Sequence, residues 1–256
     1  MDTARIALLH LATVPGAITQ NRYVIEEAVK HAASVGAHWI VSPELAVCGL
    51  QFVPLVGTDW IEPQPDTWMQ RFCRLVKSVG TTVFISCPER DGKRFYNSVF
   101  VINPRGQVIG KHRKINVASD SRAWSSPGDH VAPITCDGVK VGLPICSDMY
   151  TRNITDTLKA RGADILVSPA SWGPGMHGPN GEWEERTRET GLPLIVCNRT
   201  GAEQTLDFWK APSLVVRNGE RLLSHTSVRS AVLIFDWNFR NMTPVSSAYR
   251  TDYFKG

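Results

Sequence analysis

The chain has 256 residues, of which 43% are hydrophobic and 20% charged, with a formal net charge of +4. That balance belongs to an ordinary globular protein rather than a disordered one, and a domain of this length buries roughly three quarters of its unfolded surface. The positive excess is small and forms no basic run with interleaved aromatics, so a nucleic-acid partner has no support.

The six cysteines are Cys48, Cys73, Cys87, Cys136, Cys146 and Cys197. None forms a C-x-x-C pair, and no H-E-x-x-H or His-rich tract occurs, so no metal site is expected. The first residues, MDTARIALLHLAT, carry an acid and only a short apolar run, and no stretch is apolar for the length of a bilayer. The expectation is a soluble, cytoplasmic protein with no membrane partner and with reduced thiols.

In chain order, residues 5–12 (RIALLHLA) read as a short buried strand, followed by turn residues Pro15 and Gly16. Residues 21–35 place Val24, Ala28, Ala32 and Val35 on one helical face, ending at Gly36. A strand is expected at 39–42, stopped by Pro43. A helix follows at 68–79, with Phe72, Leu75, Val76 and Val79 inward and Gly80 as its stop. Strands are expected at 82–86, 99–103 and 107–112, and a hairpin over 134–145 about Asp137-Gly138.

Beyond Cys146 the pattern predicts a helix over 155–161, a strand at 164–168 and a Gly/Pro-rich loop at 173–181. A charged helix at 182–190, a strand at 194–197 and a hairpin over 213–224 with Asn218-Gly219 at its tip follow. A last strand is expected at 231–236, and residues 238–256 read as a polar tail. Helices and strands alternate early and hairpins enter later, which predicts an α/β fold with a mixed sheet or two sheets. No linker composition or internal repeat divides the chain, so one domain over 1–256 is expected.

Three residues stand at strand ends where a strand pattern has no need of them. Glu44 follows a strand and a proline and enters an apolar stretch, where a carboxylate is costly unless paired or used; alone, it also reads as a surface acid after a turn. Lys114 ends a strand whose Lys111 and Arg113 read as solvated edge charges, and it too fits that description. Cys146 ends a buried run and precedes a helix, so its sulfur lies near backbone N–H groups able to receive developing negative charge; alone, it also reads as a packed core thiol. Together the three make a hydrolytic set: the carboxylate takes the thiol proton, and the ammonium favours a thiolate and then stabilises an oxyanion. In an α/β sheet such groups converge at one edge of the strands.

With these residues in hand, the sequence resembles the nitrilase superfamily, the carbon–nitrogen hydrolases, over most of its length. SPE at 42–44 resembles that family's glutamate motif, RK at 113–114 its lysine motif and CSD at 146–148 its cysteine motif. GADILVSPASW at 162–172 is similar to the segment after the nucleophile. Arg186 and Glu189 fit the later arginine–glutamate helix, and NRTG at 198–201 fits the asparagine-arginine-x-glycine turn. The order and spacing of these short motifs carry the resemblance.

The resemblance implies a four-layer αββα sandwich of two mixed sheets flanked by helices. It implies a homodimer or larger assembly that uses the tail at 238–256, and a reaction needing neither metal nor organic cofactor. By carry-over Glu44 is the general base, Lys114 the oxyanion stabiliser, Cys146 the nucleophile that forms a thioester, and the Ser147 backbone N–H a second oxyanion donor. The substrate is then a small-molecule amide or N-carbamoyl compound, with nitrile hydrolysis by the same three residues as the alternative.

Two departures bear on substrate. Many members carry a second active-site glutamate a few residues before a Pro-Gly turn. Counting back from Pro127-Gly128, Ser121 stands in that place with Asp120 beside it, so either Asp120 substitutes, the site is rearranged, or the chain is a silent ligand-binding homologue. Tyr150 stands where an arginine is common and Asn153 where a glutamate is common, both near the expected pocket, to which Trp172 is also assigned. Trp124, Trp183 and Trp209 read as packing, His112 as structural or solvated, His177 as a loop residue at the pocket mouth, and Asp148 as a residue that orients the backbone around Cys146.

Overall fold

The structure is a computed structural model and describes residues 2–118, 122–175 and 177–253. Two mixed β-sheets lie face to face with helices outside them, the αββα sandwich expected. The first sheet begins with β1 (Thr3–His10). Its side chains alternate: Ile6 and Leu8 join the apolar layer between the sheets, while Ala7 and Leu9 face the helices outside. That two-sided burial is why the segment is an almost continuous apolar run.

Helix α1 (Ile18–Ser34) lays Val24, Ile25, Ala28 and Ala32 on the outer face, and α3 (Thr67–Val79) adds Trp68, Phe72 and Val76. α3 is capped by the Asp66 carboxylate, which accepts the Met69 N–H at 2.6 Å, and it stops at Gly80 with φ 67°. Between them come β2 (Trp39–Val41) and a four-residue helix α2 (Val53–Val56) that the sequence pattern does not announce. The sheet continues through β3 (Thr82–Asp91), β4 (Arg94–Ile102) and β5 (Val108–Arg113).

β3 and β4 are longer than expected. Residues 87–91 (CPERD), past the expected end of the strand and carrying a proline and charges, pair with residues 94–98. Glu89 can be buried there because Ser98, Lys111 and Arg113 all donate to its carboxylate.

The second sheet runs β11-β10-β9-β8-β7-β6. β6 (Ile134–Cys136) and β7 (Val139–Gly142) form the expected hairpin, with Asp137 and Gly138 both at positive φ as a two-residue primed turn requires. α4 (Arg152–Ala160) starts three residues earlier than predicted, while α5 (Glu182–Thr190) and β9 (Leu194–Cys197) match. β8 (Ile165–Pro169) and the hairpin β10 (Ser213–Arg217) and β11 (Glu220–His225) complete the sheet. α4 packs so closely that a Cβ on Gly142 would meet Leu158 at 2.9 Å and Leu166 at 2.7 Å.

β12 (Ala231–Asn238) returns to the first sheet beside β1. It is not the last strand, and the tail is not without structure. β13 (Thr243–Pro244) and β14 (Arg250–Tyr253) both pair antiparallel with β12. The polar composition hid them because they lie at a sheet edge and need no two-sided apolar pattern. Among the described residues no helix is long and apolar enough to cross a membrane.

The register positions the site. β2 and β3 are parallel, and β5, reached through two antiparallel steps, points the same way. Residues just past β2 and β5 therefore emerge at the same end of the sheet. β7 and β8 are likewise parallel, so the residues following both leave the second sheet together.

Candidate active site

Glu44 is the third residue past the end of β2, in a turn where Leu45 takes φ 47°. The turn is held because the Leu45 N–H donates to Ser86 Oγ at 3.0 Å. Glu44 is buried, and its carboxylate accepts three hydrogen bonds. Oε1 accepts from Lys114 Nζ at 2.5 Å and from Asn97 Nδ2 at 2.7 Å, and Oε2 accepts from the Ser171 backbone N–H at 3.0 Å. Ser171 Oγ also donates to the Glu44 carbonyl at 3.0 Å, tying the loop after β8 to the loop after β2.

Lys114, the first residue past β5, is buried as well. Its N–H donates to the Asn97 carbonyl and its carbonyl accepts from Gly128, both at 2.8 Å. Gly128 is required there, since a Cβ on it would meet the Arg113 carbonyl at 2.5 Å. Burial works against the charge on Lys114, but Glu44, helped by Cys146 and Asp148, outweighs it and raises the ammonium's pKa.

Cys146 opens a short 3₁₀ helix (Cys146–Tyr150) and adopts φ 47°, a left-handed conformation that a residue with a side chain holds only when its surroundings impose it. Asp148 is what imposes it. Its Oδ2 accepts the Ile145 N–H at 2.9 Å, and its Oδ1 accepts the N–H groups of Ile115 and Asn116 at 2.9 and 2.8 Å. His112 Nε2 lies 2.9 Å from Oδ2. One fully buried carboxylate thus joins the cysteine turn to the chain leaving Lys114. Burial pushes the Asp148 carboxyl up, yet His112 and the N–H donors outweigh it and hold it below the ordinary carboxylate range. Ser147 adds a second tie: its Oγ donates to the Asn116 carbonyl at 2.6 Å, and Asn116 Nδ2 donates back to the Ser147 carbonyl at 3.1 Å.

The ammonium of Lys114 does draw the Cys146 thiol down, as does the Ser171 N–H, but burial first and the Glu44 carboxylate second push it further up. The balance holds the Cys146 thiol above its ordinary range, with burial the larger cause and the neighbouring Glu44 carboxylate the next.

Glu44, Lys114, Cys146, Ser147, Tyr150 and Trp172 all line one cavity of about 810 Å³. Within it, 6% of the Cys146 surface remains exposed. Trp172 packs edge-on against Tyr150 at 4.8 Å and against the fully buried Trp183 at 5.2 Å. The Tyr150 hydroxyl and Trp172 Nε1 both donate to the His177 carbonyl, fastening the Gly/Pro-rich loop over the mouth. Trp124 also lines the cavity, whereas Trp209 is outside it.

Asn153 sits exposed on α4 and does not reach the cavity, contrary to the sequence reading. Arg186 and Glu189 pair on α5 at 2.8 Å, also away from it. Asp120 and Ser121 lie outside the described residues.

Sequence reasoning missed Asn97, Ser171 and the opposite wall at Leu50, Gln51 and 205–208. Asn97 fell before the expected start of its strand at Val99, and the wall residues carry no catalytic residue type. The PASW run that includes Ser171 was the one available signal.

The family model for carbon–nitrogen hydrolases matches residues 5–242. A nitrilase from Pyrococcus abyssi (strain GE5 / Orsay) is 30% identical over 195 residues, 74% of this chain and 72% of the relative. Omega-amidase NIT2 from Mus musculus is 25% identical over 261 residues, 96% of this chain and 92% of the relative. Among solved structures, an amidase from Nesterenkonia sp. superposes with a TM-score of 0.81 at 23% identity, covering 92% of this chain and 90% of that one. In a mutant of that amidase the acetamide moiety of fluoroacetamide is covalently attached at the active-site cysteine.

Proposed function

The chain belongs to the carbon–nitrogen hydrolases, and from that premise we propose that it hydrolyses the non-peptide C–N bond of a small linear amide or N-carbamoyl compound through a thioester on Cys146. The observation that carries the reading is the 2.5 Å contact of Lys114 with Glu44 in the same cavity as the Cys146 sulfur. Glu44 takes the Sγ proton as the sulfur attacks the carbonyl carbon, so no free thiolate has to persist in the buried site. The oxygen that receives the electron pair is stabilised by Lys114 Nζ and the backbone N–H of Ser147. Collapse breaks the C–N bond, the nitrogen leaves as ammonia or an amine with the proton from Glu44, and the acyl group stays on sulfur. Water then attacks the thioester while Glu44 takes its proton, and return of that proton to Sγ frees the acid.

The test uses fluoroacetamide with the Glu44→Gln protein, followed by intact-mass measurement and peptide mapping. The expected result is one acetamide adduct on Cys146, none after Cys146→Ala, and loss of ammonia release from an amide panel in Cys146→Ala. Adducts spread evenly over the other cysteines, or undiminished turnover without the thiol, would refute the mechanism. The Pyrococcus relative is named a nitrilase, and the same thiol can add to a C≡N carbon; matched nitriles in the panel separate the two substrates.

We also propose one hydrolase domain over 1–256, acting as a homodimer or larger assembly with residues 238–256 at the contact. Val245 and Tyr253, exposed on that tail, support the reading. Sedimentation of Val245→Glu/Tyr253→Glu should show dissociation.

A further inference from the structure

At about 810 Å³ the cavity is far larger than a two-carbon amide needs, and it is poor in available positive charge. Among the described residues Lys114 is the lining lysine or arginine, and its ammonium is held by Glu44 at 2.5 Å. The other formally charged lining residues are acids, Glu44 and Asp207, while His177 is exposed at the mouth. The nearby Arg199 does not line the cavity. Its guanidinium is spent on Glu203 and the Thr13 carbonyl, and it stacks on Phe208 at 4.5 Å. Residues 119–121 and 176, which adjoin the lining in sequence, include no lysine or arginine.

Several uncharged donors are committed too. Tyr150 and Trp172 donate to the His177 carbonyl, Ser147 Oγ to the Asn116 carbonyl, Ser171 Oγ to the Glu44 carbonyl, and Gln51 Nε2 to Thr205 Oγ1. The wall opposite Cys146 is stitched in place. Glu203 accepts the N–H groups of Leu50 and Gln51 at 2.9 and 2.6 Å, and Gln51 Oε1 accepts the Thr205 N–H at 3.0 Å. What that wall offers is Leu50, Val53, Pro54, Leu206 and Phe208.

On the amidase reading, we propose that the substrate's acyl group is an uncharged, mainly apolar chain, and that the site rejects amides bearing a free carboxylate. A carboxylate drawn into this cavity loses its water, meets two acids and finds no unspent cation, which is the costly case of an unpaired charge. A methylene chain gains by the same burial.

The experiment measures kcat/KM of the full-length protein at about pH 8, above the ordinary imidazole range. The substrates are acetamide, butyramide, hexanamide and adipamate, the ω-carboxylate counterpart of hexanamide. The expected result is a rise of about threefold per methylene along the neutral series, with adipamate about 10²-fold below hexanamide. Leu206→Arg, which brings a cation to the apolar wall, should narrow the hexanamide-to-adipamate ratio about tenfold or more, chiefly through KM. Adipamate turned over as well as hexanamide, or a ratio unmoved by Leu206→Arg, overturns the proposal while leaving the amidase reading intact. Failure of every amide overturns both.

Discussion

Replacing Asp148 by alanine tests the clamp on which the site geometry depends. The carboxylate is fully buried and receives three backbone N–H groups, from Ile115, Asn116 and Ile145, besides its contact with His112. Stranding each N–H costs about 1–3 kcal/mol, and water entering the vacated space recovers part of that, so the expected loss is about 4 kcal/mol. The pH dependence gives a second handle. The folded-state carboxyl is held below its ordinary range, so its stabilisation is fully present above that range and disappears as pH falls through the depressed value. Urea denaturation at neutral pH should show the full gap between wild type and Asp148→Ala, and the gap should shrink on acidification. Ammonia release should fall together with stability, because the same clamp sets the turn at Cys146 and the chain leaving Lys114. A variant within about 1 kcal/mol of wild type at neutral pH would refute the clamp.

Lys114→Ala should lower kcat by about 10²–10³, the loss typical of removing an oxyanion donor, and should also cost about 3–5 kcal/mol in urea because Glu44 remains buried without its cation. Asn97→Ala removes one donor from Glu44 and should reduce kcat/KM about tenfold with little change in KM, read by ammonia release. In Glu44→Gln the Cys146 thiolate absorbance should appear at lower pH than in wild type, since a group that pushes the thiol up is gone and Lys114 is released to it; a move to higher pH would contradict the electrostatic account.

The core elements were legible because burial imposes period. Residues 5–12 had to be apolar on both faces, since one face meets the other sheet and the other meets α1 and α3. The turns at Gly80 and Asp137-Gly138 were legible because positive φ restricts residue type. Edge structure was not. β13 and β14 satisfy backbone groups along β12 without a two-sided core, and the outer ends of β3 and β4 carry the exposed Arg90, Asp91 and Arg94, so no apolar pattern marks them. In the site, Glu44, Lys114 and Cys146 stood out because a carboxylate, an amine and a thiol at strand ends are chemically conspicuous. Asn97 gave no signal and Ser171 only that of its PASW run, because their hydrogen bonds to Glu44 reach across more than fifty positions of chain.

The electrostatics of the three buried groups explain why Glu44 must sit where it does. A lysine near a thiol would by itself give a standing thiolate, reactive towards any electrophile that reached it. Here the lysine's charge is engaged by Glu44, and burial together with that carboxylate pushes the thiol's pKa up. In the proposed reaction the nucleophile is therefore released only when something able to accept the sulfur's electrons is present. As the proton passes to Glu44, the carboxylate loses the charge that held Lys114, and the ammonium becomes available to the oxygen on which negative charge is developing. On that proposal one proton transfer activates the sulfur and frees its oxyanion partner at the same moment, and the 2.5 Å contact between Lys114 and Glu44 is the resting half of that exchange.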